Sequence, residues 1–173
     1  MLPTIIGALA LIGSCAALGF YYAALEGYRV KDLQEIKKAL MILSSEIEHM
    51  RAPLPIACAN IAKRTKEPIS ALFANFSSLL TQNQGETAYQ LWVQALEIQK
   101  PRTFLVAEDW DVVESFGKTL GYLDKQMQQS AIAATVEYID EKTTSLQAQS
   151  DKNKRMYRSL GIIGGLLLAV VLW

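Results

Sequence analysis

The sequence predicts an all-α protein, a bundle of about six helices held between two hydrophobic terminal segments. Three observations predict it. Apolar residues recur at steps of three and four along most of the chain, the spacing of one helical face. No segment alternates with a period of two, and no unit repeats at fixed spacing. Every acid and base lies between Glu26 and Arg158, so both ends are bare of charge.

The bare ends come first. Residues 1–25 are assigned as an N-terminal transmembrane helix. Leu2 to Leu25 is apolar or small apart from Thr4, Ser14 and two tyrosines, and as a helix it measures about 36 Å against a hydrocarbon core of about 30 Å. A cleaved signal peptide wants a basic start, which Met1-Leu2-Pro3-Thr4 does not supply. Ile12-Gly13-Ser14-Cys15 has the outline of a lipoprotein box, yet the apolar run continues past it to Leu25. Residues 159–173 form the C-terminal hydrophobic segment. It reaches only about 22 Å as a helix, so a full span needs Met156 and Tyr157, with Arg155 and Arg158 snorkelling to the headgroups. An interfacial tail is the alternative.

Orientation follows from the bases. Arg29, Lys31, Lys37 and Lys38 follow the first segment, and Lys152, Lys154, Arg155 and Arg158 precede the second. By the positive-inside rule residues 26–158 are cytoplasmic and both ends lie outside. Cys15 and Cys58 are too far apart to pair, as suits a reducing compartment.

Between the ends the stripes succeed one another. Leu33, Ile36, Leu40, Leu43, Ile47 and Met50 mark the first helix, which Pro53 and Pro55 end. Ala57, Cys58, Ile61 and Ala62 mark a second, and Glu67-Pro68 punctuates it. Ile69, Leu72, Phe73, Phe76 and Leu79 with Leu80 mark a third, closed by the turn Gln82-Asn83-Gln84-Gly85. A short fourth helix carries Ala88, Leu91, Trp92 and Ala95. Lys100-Pro101-Arg102 breaks it, and Thr103 is the expected N-cap of a fifth with Val106, Trp110, Val113, Phe116 and Leu120. Gly121 marks a break before the last helix, expected from about Tyr122 to Arg158, with continuation into the terminal segment left open, and with Leu123, Met127, Ala131, Ala134 and Tyr138 inward. Beyond Asp140 it turns polar, a solvated stalk.

Candidate chemistry is sparse. With 51% hydrophobic and 20% charged residues and zero net charge, nothing points to nucleic acid. His49 is the single histidine and has neither cysteine nor second histidine near it, so it reads as a helix-end residue rather than a metal ligand or catalytic base. Gly117-Lys118-Thr119 looks like the end of a phosphate-binding loop, but Val112 stands where that pattern needs glycine, and the preceding residues read as a helix. Glu108, Asp109, Asp111 and Glu114 surround Trp110. Acids on a bundle helix are more often solvated or paired than cation-binding. Gly161 and Gly165 form one GxxxG pair, a weak helix-packing signal. The chain therefore reads as a non-enzyme with no catalytic, metal or cofactor residues.

Two patterns resemble a known family. One is Glu46-Ile47 leading into Pro53-Leu54-Pro55, then Ala57 and Ile61-Ala62. The other is Phe116-Gly117-Lys118-Thr119-Leu120-Gly121 with Asp124, followed later by Lys154-Arg155-Met156-Tyr157-Arg158-Ser159-Leu160-Gly161. With the terminal segments and the length, the whole chain resembles the stage III sporulation protein AB family of endospore-forming bacteria. That family is similar to the cytoplasmic F-type platform domain of type II secretion and type IV pilus systems. Gly117, Gly121 and Leu123 match that domain's pattern, while Lys118 and Thr119 stand where it has acids, which leaves a cation site there without its ligands.

The resemblance implies a platform component of the mother cell–forespore channel complex, in the mother-cell membrane around the forespore. Its implied partners are the membrane, a cytoplasmic ATPase and other channel membrane proteins, with a homo-oligomer left open. The alternative is a structural adaptor of a secretion or pilus-like machine. Lys118, Gly121, Lys125 and Gln128 are the expected partner-binding residues, with Lys118, Lys125 and Gln128 facing solvent. Arg29, Lys31, Lys154, Arg155 and Arg158 are the expected membrane-flanking cations.

Overall fold

The computed structural model describes residues 25–50, 53–82, 85–121 and 125–171, with side chains described through residue 149 except at 49 and 50. The expected first span at 1–25 therefore lies outside the described residues but for Leu25, and so do the side chains of the C-terminal segment. Among the described residues no helix is long and apolar enough to cross a membrane. The described elements are all helical. Helix α1 covers 25–45 and widens into a π-turn at Glu46–Met50. Then follow α2 (Leu54–Arg64), α3 (Ile69–Gln82), α4 (Ala88–Gln99), a 3₁₀ turn at Lys100–Arg102, α5 (Ala107–Gly117) and α6 (Lys125–Val171).

The chain divides into two units, Arg29–Thr143 and the flanking stretches through Tyr28 and from Thr144 onward. In the flanking unit the helix from Thr144 exposes its described side chains except Leu146. The other unit is the bundle, and its core sits where the sequence stripes meet. Ile36 and Leu40 of α1, Leu72 and Phe73 of α3, and Val113 and Phe116 of α5 close around Trp92 of α4, with no room for a water. Trp92 is 1% exposed. Its ring centroid lies 5.6 Å from Phe73, 5.0 Å from Phe76 and 6.0 Å from Phe116, the last two edge-on. Such arrangements put positive ring edges on negative faces. The buried indole N–H donates to the Val113 carbonyl at 3.0 Å, so its polar handle is satisfied.

Local signals set the helix ends. Pro53 opens α2 in extended geometry, with Pro55 inside its first turn, where a missing N–H costs nothing. Thr87 and Gln90 close a reciprocal capping box at α4: Gln90 N–H donates to Thr87 Oγ1, and Thr87 N–H donates to Gln90 Oε1.

Two expectations need correction. Thr103 does not cap α5. Its hydroxyl turns back to the Lys100 carbonyl at 3.2 Å, and α5 begins after Val106. The reason is that carboxylates hold the intervening amides extended: Phe104 N–H donates to Asp32 and Val106 N–H to Asp109. The inward face of α6 is also displaced by one residue. Ile132, Thr135 and Ile139 are buried, whereas Met127 is 53% exposed and Ala134 is exposed. Large Ile side chains outcompete Ala for the core, because burial gain follows apolar area.

Candidate docking corner and its ionic supports

The residues expected to meet a partner lie at the corner between α5 and α6. After Gly117 the chain makes a tight turn. Lys118 N–H donates to the Ser115 carbonyl, Thr119 N–H to Phe116, and Leu120 N–H to Gly117, at 3.1, 2.9 and 3.0 Å. Thr119 Oγ1 adds a 2.7 Å bond to the Phe116 carbonyl. Amides committed in this way cannot cradle a phosphate, so Gly117-Lys118-Thr119 is a helix end. Gly121 follows at φ +91°, a conformation in which L side chains are strained.

The structure separates the four corner residues. Lys118 is exposed. Lys125 is exposed but tied back, with Nζ donating to the Glu48 carbonyl at 3.0 Å, where a cation complements the end of α1's π-turn. Gln128 does not face solvent as expected. It is half-buried, and Nε2 approaches the Thr119 carbonyl at 3.5 Å, a marginal bond that stays inside the corner. Leu120 is buried beneath the turn. The corner thus presents two exposed cations on a braced turn, Lys125 tied back to Glu48 and Lys118 with no bonded partner among the described residues.

Sequence reasoning missed the ionic site at the other end of α5. Asp109 is 0% exposed and receives Arg29 in a two-pronged bond, Nε to Oδ2 at 2.7 Å and Nη2 to Oδ1 at 2.9 Å. The Val106 N–H adds 3.1 Å to Oδ2, and Tyr138 OH stands 3.5 Å from Oδ1. The Asp109 hydrogen bonds hold the Arg29 guanidinium above its ordinary value, and burial raises the Tyr138 phenol, with the Asp109 charge acting the same way. Arg29, expected as a membrane-flanking cation, is part-buried with its guanidinium engaged by Asp109. Lys31 is exposed, and the side chains of Lys154, Arg155 and Arg158 lie outside the described set.

The acids around Trp110 diverge rather than converge. Glu108 pairs with Lys142 at 2.6 Å, Glu114 accepts from Tyr89 at 3.0 Å, and Asp111 is exposed. Among the described residues no three potential ligands gather for a metal ion. Asp32 is buried on α1, and its carboxylate accepts the Phe104 N–H at 2.8 Å. Burial pushes its carboxyl above the ordinary range, partly opposed by that amide. Cys58 is fully buried, and burial raises its thiol to about 12.

Comparison with known proteins agrees with this architecture. A curated relative, "Stage III sporulation protein AB" of Bacillus subtilis (strain 168), is 30% identical over 168 residues, covering 97% of this chain and 98% of the relative. A solved structure titled "Stage III sporulation protein AB (SpoIIIAB)" superposes with a TM-score of 0.66 at 30% identity, covering 72% of this chain and 98% of that one. The family model described as "Stage III sporulation protein AB" matches residues 4–173. The chain belongs to the stage III sporulation protein AB family.

Proposed function

We propose that this sporulation-family chain is a non-catalytic membrane platform of the mother cell–forespore channel complex, whose bundle docks a cytoplasmic ATPase at the α5–α6 corner. The observation that carries the docking surface is the exposed Lys118 on a turn braced from both sides. Thr119 Oγ1 binds the Phe116 carbonyl, and Lys125 ties the start of α6 to the end of α1. A surface fixed before binding loses little side-chain and loop entropy when a partner arrives. The bare terminal segments and the one-sided basic residues support membrane attachment with the bundle in the cytoplasm. Other membrane components of the channel would meet the terminal segments.

Lys118→Glu tests the docking surface. The side chain is exposed and has no bonded partner among the described residues, so charge reversal leaves stability nearly unchanged. The expected result is lost binding to the purified sporulation ATPase and a reduced spore yield, at an unaltered unfolding temperature. Normal binding together with normal spore yield places the contact elsewhere. Attachment is tested separately. Cysteines introduced near each end should react with an impermeant thiol reagent in intact cells, and one at Gln82 in the turn at residues 82–85 should not; a protected C-terminus removes the second span.

A further inference from the structure

The outer faces of α1 and α6 carry opposite charge side by side. On α1 an open groove of about 500 Å³ is lined by Lys37, Lys38, Met41 and Ser45, with Arg64 from the end of α2 on its rim and no acid in its lining. Met41 is 56% exposed. On α6 the stripe Met127, Ser130, Ala134, Glu137 and Glu141 falls at steps of three and four and is exposed throughout. Glu137 and Glu141 have no ion-pair partner among the described residues, and neither does Arg64, while Lys38 reaches Glu35 of its own helix only at 3.8 Å. The apolar members of that stripe, Met127 and Ala134, are among those whose periodicity marked them for a core, yet they are exposed.

Two contacts set the register. Lys37 Nζ grips both oxygens of Asp140, at 2.6 and 2.8 Å, and Lys125 sits on the Glu48 carbonyl. The helices are therefore antiparallel neighbours, and the basic groove ends one residue from Glu141. At about 1.5 Å per residue, Lys38 falls level with the turn bearing Glu137 and Glu141, and Met41 falls level with the turn from Ala134 to Glu137.

We propose that this surface is self-complementary, the α1 groove of one copy receiving the acidic α6 stripe of a second copy across a two-fold axis parallel to the helices. Such an axis turns each basic helix onto its partner's acidic one at the same level, so Lys38 and Arg64 meet Glu137 and Glu141 twice over. Met41 then rests against Ala134, which leaves room for it. Both copies keep one direction along the axis. The stripe is about 21 Å long and two helices wide, on the order of 400 Å² a side, below the usual 800 Å² of a stable complex. The association is accordingly weak and salt-sensitive, with charge deciding the register.

The test uses full-length protein in mild detergent with Cys15 and Cys58 replaced by Ser and Ala. A tagged copy carrying Met41→Cys is mixed with an untagged copy carrying Ala134→Cys and oxidised gently, so that only contact between copies yields the heavier mixed dimer. The expected result is a mixed dimer whose yield falls at least tenfold when the Met41→Cys copy also carries Lys38→Glu and Arg64→Glu. Adding Glu137→Lys and Glu141→Lys to the other copy should restore it. Thermal unfolding of each variant must match the parent, as exposed positions should allow. Absence of the mixed dimer at about 100 μM protein overturns the proposal, as does a yield indifferent to charge reversal.

Discussion

The indole of Trp92 occupies the space where any side chain at position 117 would begin. A Cβ built on Gly117 would lie 2.0 Å from Trp92 Cδ1 and 2.8 Å from Nε1. The same indole bonds the Val113 carbonyl one turn earlier, so α5 offers Trp92 both a slot and an acceptor.

Gly117→Ala should therefore destabilise the bundle by about 2–4 kcal/mol, combining overpacking with strain on a buried hydrogen bond. Gly27→Ala is the control, since a Cβ there meets nothing within 4 Å and helix propensity favours Ala by about 1 kcal/mol. Urea unfolding followed by circular dichroism measures both. Equal stability of the two variants would show that Trp92 has room to move.

Asp109→Ala should cost about 3–5 kcal/mol, because it strands the largely buried Arg29 guanidinium and the Val106 N–H. Replacing both partners, Arg29→Leu with Asp109→Leu, should recover most of that loss, since no charge is left buried. A double-mutant cycle built on Arg29→Leu and Asp109→Leu decides the matter: a double variant whose loss equals the sum of the two single losses would mean that the pair is not coupled.

Asp32 contributes a pH dependence whose sign can be stated. Its carboxyl titrates above the ordinary range in the folded state, so the folded state holds that proton more tightly than the unfolded chain. Its contribution is greatest below about pH 4, where both states are protonated, and declines as pH rises through the elevated value. Asp32→Asn keeps an acceptor for Phe104 and removes the titration. The stability difference, Asn variant minus parent, should rise between pH 3.5 and pH 7; a flat difference would rule the effect out.

Cys58 should be nearly inert in the folded protein. With its thiol at about 12, the thiolate fraction at pH 8 is about 10³-fold below that of an ordinary cysteine, and the side chain has no exposed surface. In a Cys15→Ser background, labelling should follow unfolding and accelerate with urea. Rapid labelling in native buffer would contradict the burial.

Helix stripes were legible where large apolar residues fall inside a helix; Val106, expected on the fifth stripe, instead precedes α5 and is 41% exposed. Leu33, Ile36, Leu40 and Leu43 are all buried, as are Phe73, Phe76, Trp92, Val113 and Phe116. The last helix was misread by one position because Met127, Ala131 and Ala134 make a periodic pattern as regular as that of Ile132, Thr135 and Ile139, and period alone cannot rank two faces. Gly121 was found because a positive φ leaves glycine as a local signature. Arg29 with Asp109 was not, because the partners stand 80 residues apart and each looks like an ordinary solvated charge beside its neighbours. Only the fold brings them together.

The ionic contacts of α1 also impose an order on synthesis. Asp32, Arg29 and Lys37 find their counterparts 72, 80 and 103 residues later. At about 5–20 residues per second, Lys37 waits roughly 5–20 s for Asp140 to be made. The first helix of the bundle is thus among the last to be locked, and the chain must carry it without these contacts through most of its own translation. The charges of Arg29, Asp32 and Lys37, which finish as clasps, keep that helix hydrated meanwhile. A chain truncated before Asp140 should leave α1 open to proteases that spare the full-length protein.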